Sequence, residues 1–279
     1  MLRYTIGNLS LLYLTREKAQ IRSRSGCLEK FYASKNSVSE KLLTINIEKF
    51  NTSGSERNPS WKSKIEGNKI WELWRVDSNS FGLRHSNPKV QMELIFDQEY
   101  THATLYSQNI SVLRRDLEIV LYSNWFAEFG DVILHASAIL CENGVKVFCG
   151  NSGVGKSTIV EQFQENPSVT VLGEDQVILR KINGQFVVFG TPWHNNPDYC
   201  AAEFGPLSEI YFLEKKGIDF KQALKPGLAS ALLIKSGFIP FYREELFPGI
   251  IDLLTTVAET IPCIQFSYKL GSDLSTLIN

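Results

Sequence analysis

Residues Gly150, Asn151, Ser152, Gly153, Val154, Gly155, Lys156 and Ser157 fit the pattern G-x-x-x-x-G-K-[ST] without a gap. The chemistry served by that spacing is phosphate binding. Glycines let the backbone curl until successive N–H groups point at phosphate oxygens, and a helix starting at the lysine adds its positive end. In such a loop Lys156 reaches the β and γ phosphates, Ser157 sets its hydroxyl on Mg2+, and Thr158 extends the cradle by one residue. An ordinary glycine-rich turn is the competing reading, and the flanks weigh against it. Strand-like VKVFC comes before the loop, and a run with Ile159, Val160 and Phe163 at helical intervals comes after it.

A cradle of this kind selects a nucleotide but not a reaction, which depends on the nearest carboxylates. Glu174 and Asp175 close the run SVTVLGED, 24 and 25 positions past Gly150. Two adjacent acids can divide the work, one holding Mg2+ directly or through water and the other accepting a proton from an attacking hydroxyl. The plainer alternative is a solvated strand end. His135, in LHASAI, lies 15 residues before the loop and is either a wall of the site or a hydrogen-bonded core histidine. Gly190 and Pro192 shape a sharp exit from QFVVF that presents Trp193 and His194 at its end. Those two either contact a substrate or are a packed tryptophan and a surface histidine.

These residues need a scaffold, and the pattern supplies one. DVILHASAIL and VKVFCG flank Glu142-Asn143-Gly144, where Asn-Gly favours the positive φ of a tight hairpin, so a β-hairpin delivers the chain to Gly150. Helix STIVEQF and strand SVTVLGED follow, then a second hairpin in which VILRK and QFVVFG flank Asn183-Gly184. GLASALLIKSGF and IIDLLTTVAETI read as helices and CIQFSY as a final strand. Upstream, Leu117, Val120, Leu121, Trp125 and Phe126 predict a helix over Asp116 to Phe129. Before it, LSLLYL, LLTINIEKF, IWELWRV, FGLRH, VQMELIF and THATLYS predict a small, mostly antiparallel sheet, with Phe50 to Asn68 as a polar loop or linker. The organisation expected is a β-rich region over 1–115 and a nucleotide-binding catalytic domain over 116–279.

The 279 residues carry 29 Lys+Arg against 30 Asp+Glu, a formal charge of −1, which excludes a uniformly basic nucleic-acid coat. No apolar run approaches the roughly 20 residues that cross a bilayer, and Met1 to Leu14 has no continuous apolar core, so neither a membrane nor a secretory signal is expected. Five scattered cysteines without a CxxC pair suggest neither a zinc site nor a disulfide framework, and the cytoplasm is the expected compartment. The balance conceals an asymmetry: residues 1–130 hold 18 basic and 14 acidic side chains, residues 131–279 hold 11 and 16. The basic first third either attracts an acidic partner or is solvated surface.

The ordered set of His135, GNSGVGKS and an acidic pair closing the next strand resembles the HPr kinase/phosphorylase family, whose core is related to phosphoenolpyruvate carboxykinases. The likeness spans roughly residues 130–270 and looks closest to smaller relatives encoded with peptide-tailoring systems, including kinases of lasso-peptide precursors. They are similar to this chain in GTPWH, Gly190 to His194. The resemblance implies a mixed α/β fold, ATP and Mg2+ as cofactors, and kinase action without phosphorylase action. It implies that His135 walls the site, that Lys156 and Ser157 serve phosphates and metal, that Glu174 stands for the proton-accepting Asp, and that Asp175 is the metal ligand. Glu in place of Asp moves that carboxylate by about 1.5 Å, one bond length. Arg243, in FYREELF, falls where the family keeps phosphate-facing basic groups.

The leading expectation is an ATP-dependent kinase acting on a serine or threonine hydroxyl of a peptide or small protein. A kinase for a free small molecule such as serine, and a nucleotide-dependent regulatory module without turnover, are the alternatives. No nucleic-acid or membrane partner is expected, and self-association is left open.

Overall fold

The structure is a computed structural model that describes residues 2–7, 9–15, 27–32, 41–49, 61–65, 69–76, 80–85, 92–99, 101–107, 115–194, 196–240, 243–269 and 271–278. It divides into two units, one of residues 1–24 and 32–114 and the other of residues 25–31 and 115–279. The division is therefore not a single cut in the chain.

The first unit is a sheet built from β1 (Leu2–Ile6), β2 (Leu9–Thr15), β3 (Lys41–Lys49), β4 (Trp61–Ile65), β5 (Lys69–Arg75), β6 (Ser80–His85), β7 (Met92–Asp97) and β8 (His102–Ser107). Its order is β1-β2-β3-β8-β7-β6-β5-β4. Strict alternation of buried and part-exposed residues in MELIFD and HATLYS gives that sheet one apolar face. Two features depart from the sequence reading. β2 pairs with β3, and β3 with β8, in parallel, so the sheet is larger and less uniformly antiparallel than expected. Trp61–Ile65, placed above in a loop, is a strand paired with β5, because alternation in WKSKI outweighs the polar composition around it. The rest of that segment, 50–60 and 66–68, lies outside the described residues.

The second unit contains α1 (Arg115–Ala127), β9 (Val132–Cys141), β10 (Gly144–Cys149), α2 (Lys156–Gln164), β11 (Thr170–Gly173), β12 (Gln176–Ile182) and β13 (Gln185–Phe189). After these come β14 (Phe204–Leu213), β15 (Phe220–Ala223), α3 (Pro226–Ser236), α4 (Phe247–Thr260), β16 (Cys263–Ser267) and α5 (Leu274–Ile278). The expected mixed α/β class holds. Both hairpins form where Asn-Gly predicted them: β9 and β10 join at Gly144, φ +109°, and β12 and β13 join through Asn183 and Gly184, φ +49° and +82°. β14, unmarked in the sequence reading, is the hub. Its first half pairs with β13, its second half runs parallel to β10 and β16, and contact with β10 closes the sheet onto itself.

Helices cover both faces, which is why β9 and β10 are buried almost throughout instead of alternating. On one face Ile250, Leu253, Leu254, Val257 and Ala258 of α4 form an apolar stripe against Leu134, Ala136, Val147 and Ile210. On the other, Ile159, Val160 and Phe163 of α2 pack with Ile139, Phe148, Tyr211 and Phe266. A 3-10 turn at Cys27–Phe31 joins this unit, burying Cys27, Leu28 and Phe31. The Lys30 ammonium donates to the Cys200 carbonyl at 2.9 Å, so one charge of the basic first third is committed to internal structure.

Candidate active site

The glycine-rich loop joins the carboxyl end of β10 to the amino end of α2. Three parallel strands, β10, β14 and β16, end side by side here, and the carboxyl ends of parallel strands are where α/β folds place ligand sites. Gly155 caps α2 with φ +119°, a conformation that other residues rarely adopt, and a Cβ there would run into the Tyr268 hydroxyl. The first helical bond runs from Ile159 N to Gly155 O at 3.1 Å. The N–H groups of Lys156, Ser157 and Thr158 thus have no acceptor within the helix and supply its positive end.

Lys156 folds back over the loop, its ammonium donating to Gly150 O at 2.8 Å and Asn151 O at 3.3 Å. Burial holds its pKa below the ordinary lysine value. Such a charge is partly desolvated and held by two carbonyls that an anion could replace. Ser157 is exposed at the second helical position. Cys149, just before the loop, is fully buried, and burial pushes its thiol up to about 12, so it remains a neutral packing group.

β9 supplies the neighbouring wall. Cys149 pairs with Ala136, so the chain enters the loop beside His135, and Ser137 Oγ lies 3.5 Å from Lys156 O. On the opposite edge of β9, β11 and β12 form one run whose register shifts between Val171 and Gly173 and which bends at Glu174 and Asp175. Such a bulge re-aims side chains beside a site. Here Asp175 Oδ1 lies 3.0 Å from His135 Nε2, both side chains about one-third exposed, while Ala136 N donates to Asp175 O. The structure therefore brings His135 and Asp175 together next to the loop. Glu174, one residue earlier, has its charge within reach of Tyr199. Desolvation first, then the charges of Glu161, Glu174 and Asp198, push the Tyr199 phenol above its ordinary value.

Three expected substrate contacts take other positions. Trp193 is 4% exposed and stacks on Tyr122 at 4.8 Å, with Phe126 at 6.2 Å, because α1 offers an aromatic face that a strand-end tryptophan fills. His194 is 3% exposed, with Nε2 3.2 Å from Thr191 Oγ1, whose hydroxyl donates to Gln176 O. The ring lies where a Cβ on Gly173 would be, so His194 packs under the bend that aims the acidic pair. Arg243 is gripped by two carboxylates, Glu128 at 2.5 Å and Glu245 at 2.6 Å. These ion pairs, through one terminal nitrogen and Nε, hold the guanidinium against the fold. Trp193→Ala should accordingly lower stability by about 3–5 kcal/mol in denaturant unfolding. Trp193→Phe should cost far less, since it also removes an indole N–H that is buried without an acceptor among the described residues.

Two residues that sequence reasoning did not single out reach the loop, Ser137 and Tyr268. Tyr268 OH donates to Gly155 O at 3.0 Å and its phenol is hydrogen-bonded with Thr158, while burial pushes its pKa up. The only linear signal for it is an aromatic residue directly after the last strand. A separate buried pair, Arg180 with Asp131 at 2.6 Å, lies four register steps along β9 from His135. Burial pushes the Asp131 carboxyl up to about 6 despite that partner.

No family model matches the chain, and no curated protein matches it. Among solved structures, the Hpr(Ser) kinase/phosphatase from Coxiella burnetii is similar over 52% of this chain and 85% of its own, with 12% identity and a TM-score of 0.30. That likeness does not place the chain in a family. No helix among the described residues is long and apolar enough to cross a membrane.

Proposed function

We propose that this chain is an ATP- and Mg2+-dependent kinase that transfers the γ-phosphoryl group to a serine or threonine hydroxyl of a peptide or small protein. The observation that carries the reading is the juxtaposition of an anion cradle, formed by residues 150–158, with the pair made by His135 of the adjoining strand β9 and Asp175 at the bend between β11 and β12. A cradle alone fits any nucleotide-binding module; a carboxylate held by an imidazole beside it adds an oxygen donor of the kind phosphoryl transfer to a hydroxyl uses.

Lys156 exchanges the carbonyls of Gly150 and Asn151 for phosphate oxygens, and the α2 amide groups take the remainder. Asp175 and Ser157 offer one carboxylate and one hydroxyl, hard oxygen donors of the kind Mg2+ takes together with phosphates and water. When bound there, Mg2+ offsets the negative charge of the phosphates. His135 holds Asp175 in one orientation, as a partner of a ligating carboxylate does. Glu174 accepts the proton of the acceptor hydroxyl while its oxygen bonds to the γ-phosphorus, the bond to the bridging oxygen breaks, and ADP departs with the electron pair.

The test is mass spectrometry of serine-containing peptides, and separately of free serine, incubated with ATP, Mg2+ and the full chain. The expected result is the gain of one phosphoryl group by a peptide. Transfer to free serine alone would replace the peptide with a small-molecule acceptor. Tight ATP binding with transfer to neither would leave a regulatory module.

A further inference from the structure

The loop 150–157 has two unlike flanks. On the β9 side, Ser137 meets Lys156 O, and His135 and Asp175 lie just beyond. On the β16 side, Tyr268 donates to Gly155 O and is joined to Thr158. The chain around Tyr268 is laced into a wall. Asp219, after β14, accepts Lys269 N at 2.8 Å and the Ser272 hydroxyl at 2.7 Å, and Lys216 N donates to Ser267 Oγ at 3.1 Å. Phe266 stacks on Tyr268 with ring centroids 6.0 Å apart, so the half-buried phenol ring is braced by the end of the strand that precedes it.

These flanks give the site a direction. In a loop of this spacing the lysine reaches the outer phosphates, whereas the amides that follow hold the inner ones. The outer phosphate then faces His135 and Asp175, and the inner phosphate, with whatever is attached to it, leaves past Thr158. What stands at Thr158 is Tyr268.

We propose that Tyr268, with residues 214–219, Lys269 and Ser272 around it, forms the nucleoside subsite, its ring supporting the base of the bound nucleoside triphosphate. This rests on the nucleotide reading above and adds to it a polarity and a residue. Stacking on an aromatic ring is tolerant of base identity, because every base has a π face, so ATP and GTP should bind with similar affinity.

The experiment compares ATP with inorganic tripolyphosphate, which has the phosphates and no nucleoside, by calorimetry on the full chain. Tyr268→Ala should weaken ATP by about tenfold or more. It should leave tripolyphosphate within about twofold, a difference of less than 0.5 kcal/mol. Tyr268→Phe should keep most of the ATP affinity, since the ring remains. Equal weakening of both ligands would overturn the proposal and make Tyr268 a brace of the loop; no weakening of either would also overturn it. Should the alanine variant fail to fold, Tyr268→Leu against Tyr268→Phe decides the same point, bulk without a π face against bulk with one. If the wild-type chain binds neither ligand, the nucleotide reading itself fails, an outcome distinct from a wild-type chain that binds both and a Tyr268 variant that changes nothing.

Discussion

Lys156→Ala is expected to lower the rate of phosphoryl transfer by about 10²–10³-fold, the loss that follows removal of one well-placed group stabilising transition-state charge. Its Tm should change little. Among the described residues its side chain makes two hydrogen bonds, both to loop carbonyls, and burial already disfavours its charge. A desolvated ammonium held by groups it can exchange is costly in the resting protein and useful when an anion arrives. Initial rates of ADP release beside a thermal melt separate the two effects. A variant that keeps more than a tenth of the wild-type rate would remove Lys156 from the chemistry, and with it the main reason for reading the loop as a nucleotide cradle.

Asp175→Asn preserves shape and removes charge, and should cost about 10²–10⁴-fold in rate. The partner should matter less: His135→Asn is expected to cost about 10–100-fold, the range for a residue that orients a ligating carboxylate. Because the two side chains touch at 3.0 Å, their effects should not add. The double variant should resemble Asp175→Asn, for an orienting residue has nothing left to orient once the carboxylate is gone. Full additivity, or a His135 effect as large as that of Asp175, would mean that the imidazole acts on the substrate directly. Raising the Mg2+ concentration should restore part of the His135→Asn rate and little of the Asp175→Asn rate.

The loop was legible because its information is local. Eight consecutive residues, a strand before them and a helix after them suffice, and φ +119° at Gly155 is the conformation for which glycine is needed. Both Asn-Gly hairpins were legible for the same reason. β14 was not, because FGPLSEIYFL has Gly205 and Pro206 in its first half and earns its place through long-range pairing with β10, β13 and β16. Trp193 and His194 were misplaced because a strand exit looks exposed in one dimension. What buries them is α1, some seventy residues away, together with the bend at Gly173. For Arg243 the resemblance implies a phosphate-facing position, and only the fold shows the two carboxylates, Glu128 and Glu245, that pair with it.

Read from the chain alone, this protein has a phosphate loop, two acids and a histidine in order, and a scaffold of hairpins and helices, since turn chemistry and periodicity act over a few residues. Folding adds relations that no spacing encodes. The register shift before Gly173 turns Asp175 toward His135, β14 carries the loop beside β16, and Tyr268 arrives at Gly155 from 113 residues away. Each depends on strand pairing between distant segments, where the free energy lies in burying shared surface, so it is decided by the assembled sheet and not by any one stretch of residues.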